Sequence, residues 1–147
     1  MPTLAELLDP RRVSLGLKAQ DKEGVLAELA DLLADEGEDP TRIVEVLWAR
    51  EQLASTGVGS GVAIPHGRLK GLRAIRATLG VHPEGVAFDA VDGERVHVFV
   101  AILAPEDRPS QHLKLLAEIS RLLRHKEVRE RLRTAEDYEA VVACLGA

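Results

Sequence analysis

The residues in this sequence best suited to chemistry run from Ser55 to Gly67: Ser-Thr-Gly-Val-Gly-Ser-Gly-Val-Ala-Ile-Pro-His-Gly. Val62 to Ile64 predicts a short buried strand, and Pro65 fixes the backbone at its exit. His66 is then delivered onto a turn that Gly67 leaves open to close approach. Gly57, Gly59 and Gly61 allow successive backbone N–H groups to converge on one anion, and Ser55, Thr56 and Ser60 add hydroxyl donors. A histidine beside such a concavity suits phosphate chemistry. On spacing alone a second reading competes, a plain turn carrying a structural histidine, because short Gly-rich loops recur without any chemistry.

The elements around this stretch must hold it in place. Val13 to Leu17 alternates as a strand does, and Asp21 caps a helix carrying Val25, Leu26, Leu29, Leu32 and Leu33 at helical spacing as far as Gly37. Asp39-Pro40 starts a second helix with a capping side chain and a first-turn proline, and its apolar residues lead to Leu53. Arg50 and Glu51 fall on its last turn, facing the space into which His66 projects, so Arg50 is a candidate anion partner. Ala74 to His82 and Val96 to Leu103 predict strands with Asp92-Gly93 as a turn between them, the second nearly continuous and central. Ser110 caps a long helix with Leu113, Leu115, Leu116, Ile119, Leu122 and Leu123 on its apolar face and His112 in its first turn. Thr134 with Asp137 reads as a capping box for a last helix. Interleaved helices and strands with a hairpin-like turn give an α/β fold: a mixed sheet of about four or five strands, flanked by helices on both faces.

The 147 residues are the size of one domain, spanning 1–147, with no internal repeat or linker. An apolar fraction of 46% with 29% charged residues describes a foldable soluble chain, although aromatics at 3% leave the core to Leu, Val, Ile and Ala. A net charge of −5 without a dense Lys/Arg patch excludes nucleic acid as the main partner. No apolar run reaches the length of a membrane span and no signal peptide is evident, so no direct membrane insertion and a cytoplasmic location are expected. Cys144 reads as a small buried side chain and Trp48 as core. His82, His97 and His125 have no metal-ligand spacing, so no bound metal is expected.

The whole of this pattern resembles the type 2 enzyme IIA domain of the bacterial phosphoenolpyruvate-dependent phosphotransferase system, the fructose/mannitol and nitrogen-regulatory branch. Ser55-Thr56-Gly57 followed by Gly61-Val62-Ala63-Ile64-Pro65-His66-Gly67 is similar to that family's phosphorylation-site motif. Arg50-Glu51, Ala87-Phe88-Asp89-Ala90 with Asp92, the central strand ending at Pro105, and His112-Leu113 extend the likeness over nearly the whole chain. The resemblance implies that His66 accepts a phosphoryl group on a ring nitrogen, and that Arg50 and His112 line the site. Ser55 and Thr56 are the accompanying candidates for phosphate support. Ser60 departs from the pattern, standing where the family carries an acidic residue or asparagine.

A neutral imidazole is nucleophilic near neutral pH, and its phosphoramidate retains transfer potential, so neither metal nor cofactor is needed. The implied donor is an HPr-like phosphocarrier protein. The chain has no room for a permease or an enzyme IIB domain, and it looks most like the nitrogen-regulatory branch, whose partners are regulated proteins. Transfer to a separate fructose- or mannitol-type enzyme IIB is the second reading, and a binding module never phosphorylated at His66 is a third. Residue by residue, the bland alternatives are a surface ion pair of Arg50 with Glu51 or Glu45, a solvent-exposed first-turn His112, and a solvated helix surface for the cluster from Arg121 to Arg133.

Overall fold

The computed structural model describes residues 2–146. In chain order these form α1 (Leu4–Leu7), a 3-10 turn (Pro10–Arg12), β1 (Val13–Ser14), α2 (Lys22–Leu33), α3 (Thr41–Leu53), β2 (Gly57–Gly59) and β3 (Val62–Ala63). They continue with β4 (His66–Leu69), β5 (Arg76–Val86), β6 (Val96–Pro105), α4 (Pro109–Leu123), α5 (Lys126–Arg133) and α6 (Tyr138–Cys144).

The sheet is mixed and has six strands, in the order β1-β5-β6-β3-β2, with β4 also pairing β6. The strands not read individually from the sequence, β2 and β4, come from the Gly-rich stretch, where a three-residue hairpin arm and a four-residue continuation are too short for sequence periodicity to register. β5 and β6 pair antiparallel, as the turn between them requires, and β1 pairs parallel to β5. β3 and then β4 run parallel along the other edge of β6, so residues 62–69 form one interrupted strand beside 98–105.

β6 divides the interior. Val98, Val100, Ile102 and Ala104 join Leu115, Ile119, Leu123, Leu132 and Val141 in the layer under α4, α5 and α6. Phe99, Ala101 and Leu103 join Val25, Leu26, Leu29, Ile43, Leu47 and Phe88 in the layer under α2 and α3. Strict alternation explains why β6 reads as one continuous apolar run: both of its faces are covered. Phe88 and Phe99 meet edge to face at 5.2 Å, and the remaining core is aliphatic, as the composition requires.

Three helix starts differ from expectation. Asp39 accepts the Thr41 N–H at 2.9 Å, yet Pro40 occupies the cap position of α3 and its first turn has no side-chain cap. Pro109 begins α4 directly, so Ser110 lies inside the first turn rather than capping it; the fixed φ and absent N–H of proline suit that first position. Thr134 closes α5, donating its hydroxyl to Glu130 O, and Asp137 alone caps α6 by accepting from Ala140 N. Asp21 caps α2 as its position predicts.

Candidate functional site

His66 opens a strand instead of sitting on a free turn. The β3 direction resumes after Ile64-Pro65, and β4 begins with His66 opposite Ile102. The carbonyl of Pro65 accepts the Ile102 N–H at 2.9 Å, so the histidine is registered by a sheet hydrogen bond one residue away. Its neighbours on β4 alternate. His66 and Arg68 lie opposite Ile102 and Ala104, whose side chains face α4, while Gly67 lies opposite Leu103, on the α3 face. The absence of a side chain at Gly67 has a physical cause, because a Cβ there would collide with Val46 Cγ1 of α3.

Both nitrogens of His66 have assigned roles. Nδ1 lies 2.7 Å from the Ile64 carbonyl oxygen, which can only accept, so Nδ1 carries the ring proton. Nε2 therefore presents its lone pair, and Arg50 Nε donates to it at 3.2 Å. A second bond from Arg50 Nη1 to Ala54 O, 2.8 Å long, fixes the guanidinium at the end of α3. Arg50 thus faces the histidine, and neither it nor Arg68 forms an ion pair among the described residues. Two uncompensated guanidinium groups next to one imidazole make this a place for an anion.

His112 completes the group. It is buried, not solvent-exposed, and its ring stands edge to face with that of His66, centroids 5.1 Å apart. Arg68 Nε donates to His112 Nδ1 at 3.2 Å. Burial holds His66 below its ordinary pKa, opposed by the hydrogen bond to Ile64 O and reinforced by the Arg50 charge. Burial is also the main cause at His112, joined by the charges of His66, Arg68 and Arg50, and lowers it to about 4. Both rings are neutral at pH 7, the form in which an imidazole is a nucleophile or a neutral hydrogen-bond group.

Ser55 and Thr56 brace the site and offer it no free proton. Ser55 Oγ donates to Phe88 O at 2.7 Å and accepts from Gly57 N at 3.0 Å. Thr56 Oγ1 donates to Glu51 Oε1 at 2.6 Å, and the Thr56 N–H reaches the same carboxylate. Glu51 is itself buried and paired with Lys22 at 2.9 Å; Lys22 also meets Asp89 at 3.0 Å and lies over the Phe88 ring. This buried clamp ties α2, α3 and the loop at Thr56 together directly behind Arg50. Gly57, Gly59 and Gly61 belong to a strand pair rather than to a free loop. They shape the β2–β3 hairpin, whose tip has Ser60 and Gly61 at φ of +58° and +78°, and the Ser60 N–H is taken by Asp92 Oδ2 at 2.9 Å.

Residues 6–147 match the family model "Phosphoenolpyruvate-dependent sugar phosphotransferase system, EIIA 2". The chain belongs to this family. The enzyme IIA chain is 41% identical to a nitrogen regulatory protein of Pseudomonas aeruginosa, over 96% of its own length and 93% of that protein's. It is 37% identical to a nitrogen regulatory protein of Bradyrhizobium diazoefficiens, with 97% and 94% covered. The crystal structure of nitrogen regulatory protein IIA-Ntr from Neisseria meningitidis superposes with a TM-score of 0.91 at 35% identity, covering 97% of this chain and 98% of that one.

Within the enzyme IIA site, Arg68 and the Lys22–Glu51 clamp are the parts that sequence reasoning missed. The signal for Arg68 was its spacing, two residues beyond His66 in an extended segment, which places both side chains on one face. Lys22 lies 29 residues from Glu51 and carries no local signal. Among the described residues no group of three or more His, Cys, Asp or Glu side chains is arranged to hold a metal ion, and no helix is long and apolar enough to cross a membrane.

Proposed function

We propose that this chain is a histidine phosphocarrier that accepts a phosphoryl group on Nε2 of His66. The observation that carries this reading is the division of labour in that ring: Nδ1 protonated and tied to Ile64 O, and Nε2 unprotonated, its lone pair accepting from Arg50 Nε and freed for attack when that N–H turns to the incoming phosphoryl oxygens. In the proposed step the Nε2 lone pair attacks phosphorus on a phosphorylated HPr-like protein. A P–N bond forms at His66 while the P–N bond of the donor breaks, the donor imidazole leaving with that electron pair. The Nδ1 proton stays in place, and its hydrogen bond to the Ile64 carbonyl disperses the positive charge that grows on the ring. Arg50 offsets the charge on the transferring oxygens, so catalysis is positioning plus electrostatic stabilisation. Ser55, Thr56 and Glu51 fix the backbone that holds Arg50.

The names of the similar proteins, nitrogen regulatory proteins, favour a regulatory role; in this reading the chain works in the cytoplasm and phosphorylation at His66 alters its binding to protein targets. The sugar phosphotransferase description of the family favours the second reading, onward transfer to a separate fructose- or mannitol-type enzyme IIB. Intact-protein mass spectrometry after incubation with phosphoenolpyruvate, enzyme I and an HPr-type carrier tests the common step. An acid-labile phosphoryl adduct is expected on the wild type and not on His66→Ala. No adduct on the wild type, with the carrier demonstrably charged, leaves an unphosphorylated binding module as the surviving alternative. Discharge of the adduct by an enzyme IIB separates the sugar-transport reading from the regulatory one.

A further inference from the structure

One buried side-chain polar atom among the described residues is left without a partner. Among the buried side-chain nitrogens and oxygens of the described residues, only Nε2 of His112 makes no hydrogen bond. Buried polar groups are almost always paired, so an orphan beside a reactive histidine calls for a cause. The other face of the same ring supplies it. A guanidinium Nε always bears hydrogen and can only donate, so the contact from Arg68 Nε to His112 Nδ1, 3.2 Å long, requires a lone pair on Nδ1. His112 is neutral, its pKa lowered to about 4 mainly by burial. With Nδ1 unprotonated, the single ring proton resides on Nε2, the atom with no acceptor.

We propose that Arg68 is a positioning residue for phosphoryl transfer: by donating to Nδ1 it fixes His112 as the Nε2–H tautomer, holding a donor in reserve for an oxygen of the phosphoryl group on His66. The inference rests on the phosphocarrier reading of His66. The local geometry supports it from three sides. Arg68 and His66 project from the same face of β4, opposite Ala104 and Ile102. His112 enters from the first turn of α4, which starts four residues after β6 ends, so a single strand registers all three side chains. The two imidazoles already stand edge to face with centroids 5.1 Å apart, close enough for an acceptor arriving on one to meet a donor on the other. The site thus has its donor in place before the substrate arrives, which is the preorganised arrangement that stabilises developing charge without reorganisation.

The test reads the tautomer and the transfer separately. Nitrogen-15 NMR of the histidine rings should give His112 an unprotonated Nδ1 and a protonated Nε2 in the wild type. In Arg68→Met the Nδ1 resonance should move towards the protonated position. At saturating phospho-carrier the rate of adduct formation should fall about 10-fold with the KM for the carrier unchanged, the scale typical for removing a residue that orients a reacting group. Arg68→Lys, which keeps a cationic donor, should recover most of both. A wild-type His112 protonated at Nδ1, or an Arg68→Met protein with tautomer and rate unaltered, overturns the assignment. A fall in rate that appears entirely in KM also overturns it, since that would make Arg68 a docking residue. Failure of the wild type to form any adduct overturns the phosphocarrier reading instead, and is recognised because the tautomer result does not depend on phosphorylation.

Discussion

At the scale of single residues, the guanidinium of Arg50 is irreplaceable by charge alone. One nitrogen donates to His66 Nε2 and another to Ala54 O, a fork that lysine cannot reproduce. Rapid-quench measurement of adduct formation should find Arg50→Met slowed by about 10²–10³-fold, the range for removing one preorganised donor, with Arg50→Lys recovering only a small part. His112 makes a second prediction through pH. Its pKa is about 4 in the folded protein against an ordinary 6.5. Above about pH 6.5 both folded and unfolded chains hold it neutral, and its contribution is constant. As pH falls below that, the unfolded chain takes up the proton first, so stability is lost progressively towards pH 4, by about 3 kcal/mol at the limit. Urea unfolding at pH 7.5, 6 and 5 should give a steeper loss for the wild type than for His112→Gln; equal slopes would refute the assignment. His66, His112 and Arg50 were all legible in the sequence because they belong to a motif or stand next to recognisable boundaries. Arg68 went unread because its partner is 44 residues away and its spacing from His66 has meaning only once residues 66–69 are known to be a strand.

At the scale of elements, the packing of α3 on β4 decides how closely Arg50 approaches His66. Gly67 is the contact point, and Gly67→Ala forces its new methyl into Val46 Cγ1. The expected cost is about 1–3 kcal/mol, the usual penalty for overpacking, and Val46→Ala in the same chain should return much of it. A double-mutant cycle by urea unfolding checks the coupling; strictly additive effects would mean that the two residues do not meet. The hairpin tip gives the opposite sign. Ser60 holds a φ of +58°, a conformation that asparagine and glycine adopt more readily than serine. Ser60→Asn should therefore raise stability by about 0.5 kcal/mol in the same assay, keeping the backbone bond to Asp92. The long strands and the α2 start were readable because continuous or periodic apolar residues and a capping aspartate mark them. β2 and β4 were not, since they are glycine-rich or polar and become strands only by pairing with β3 and β6. The starts of α4 and α6 were misplaced for a related reason: adjacent residues at each boundary were all plausible caps, and tertiary packing chose among them.

For the molecule as a whole, charge sets the consequence of modification. The chain carries −5 overall, yet His66 sits beside two arginines without carboxylate partners among the described residues. A phosphoryl group brings about −1.5 to −2 charges, enough to cancel that local positive field. A partner that engages the site through acidic side chains should bind the unphosphorylated form more tightly, and one with a basic surface the phosphorylated form. Calorimetry with each authentic partner, with and without the modification and at two salt concentrations, measures the difference; equal affinities for every partner would sink a signalling role. Strand order was beyond reach of the sequence, because the parallel placement of residues 62–69 along β6 depends on contacts far apart in the chain.

The central strand also provides a gauge of integrity. The amide of Ile102 donates to Pro65 O in the middle of a doubly covered sheet, one residue from the His66 ring. An amide so placed exchanges with solvent only through the rarest and largest openings of the structure. Its exchange rate is therefore a clock for the site: that hydrogen leaves only in an opening large enough to part residues 65 and 66 from β6.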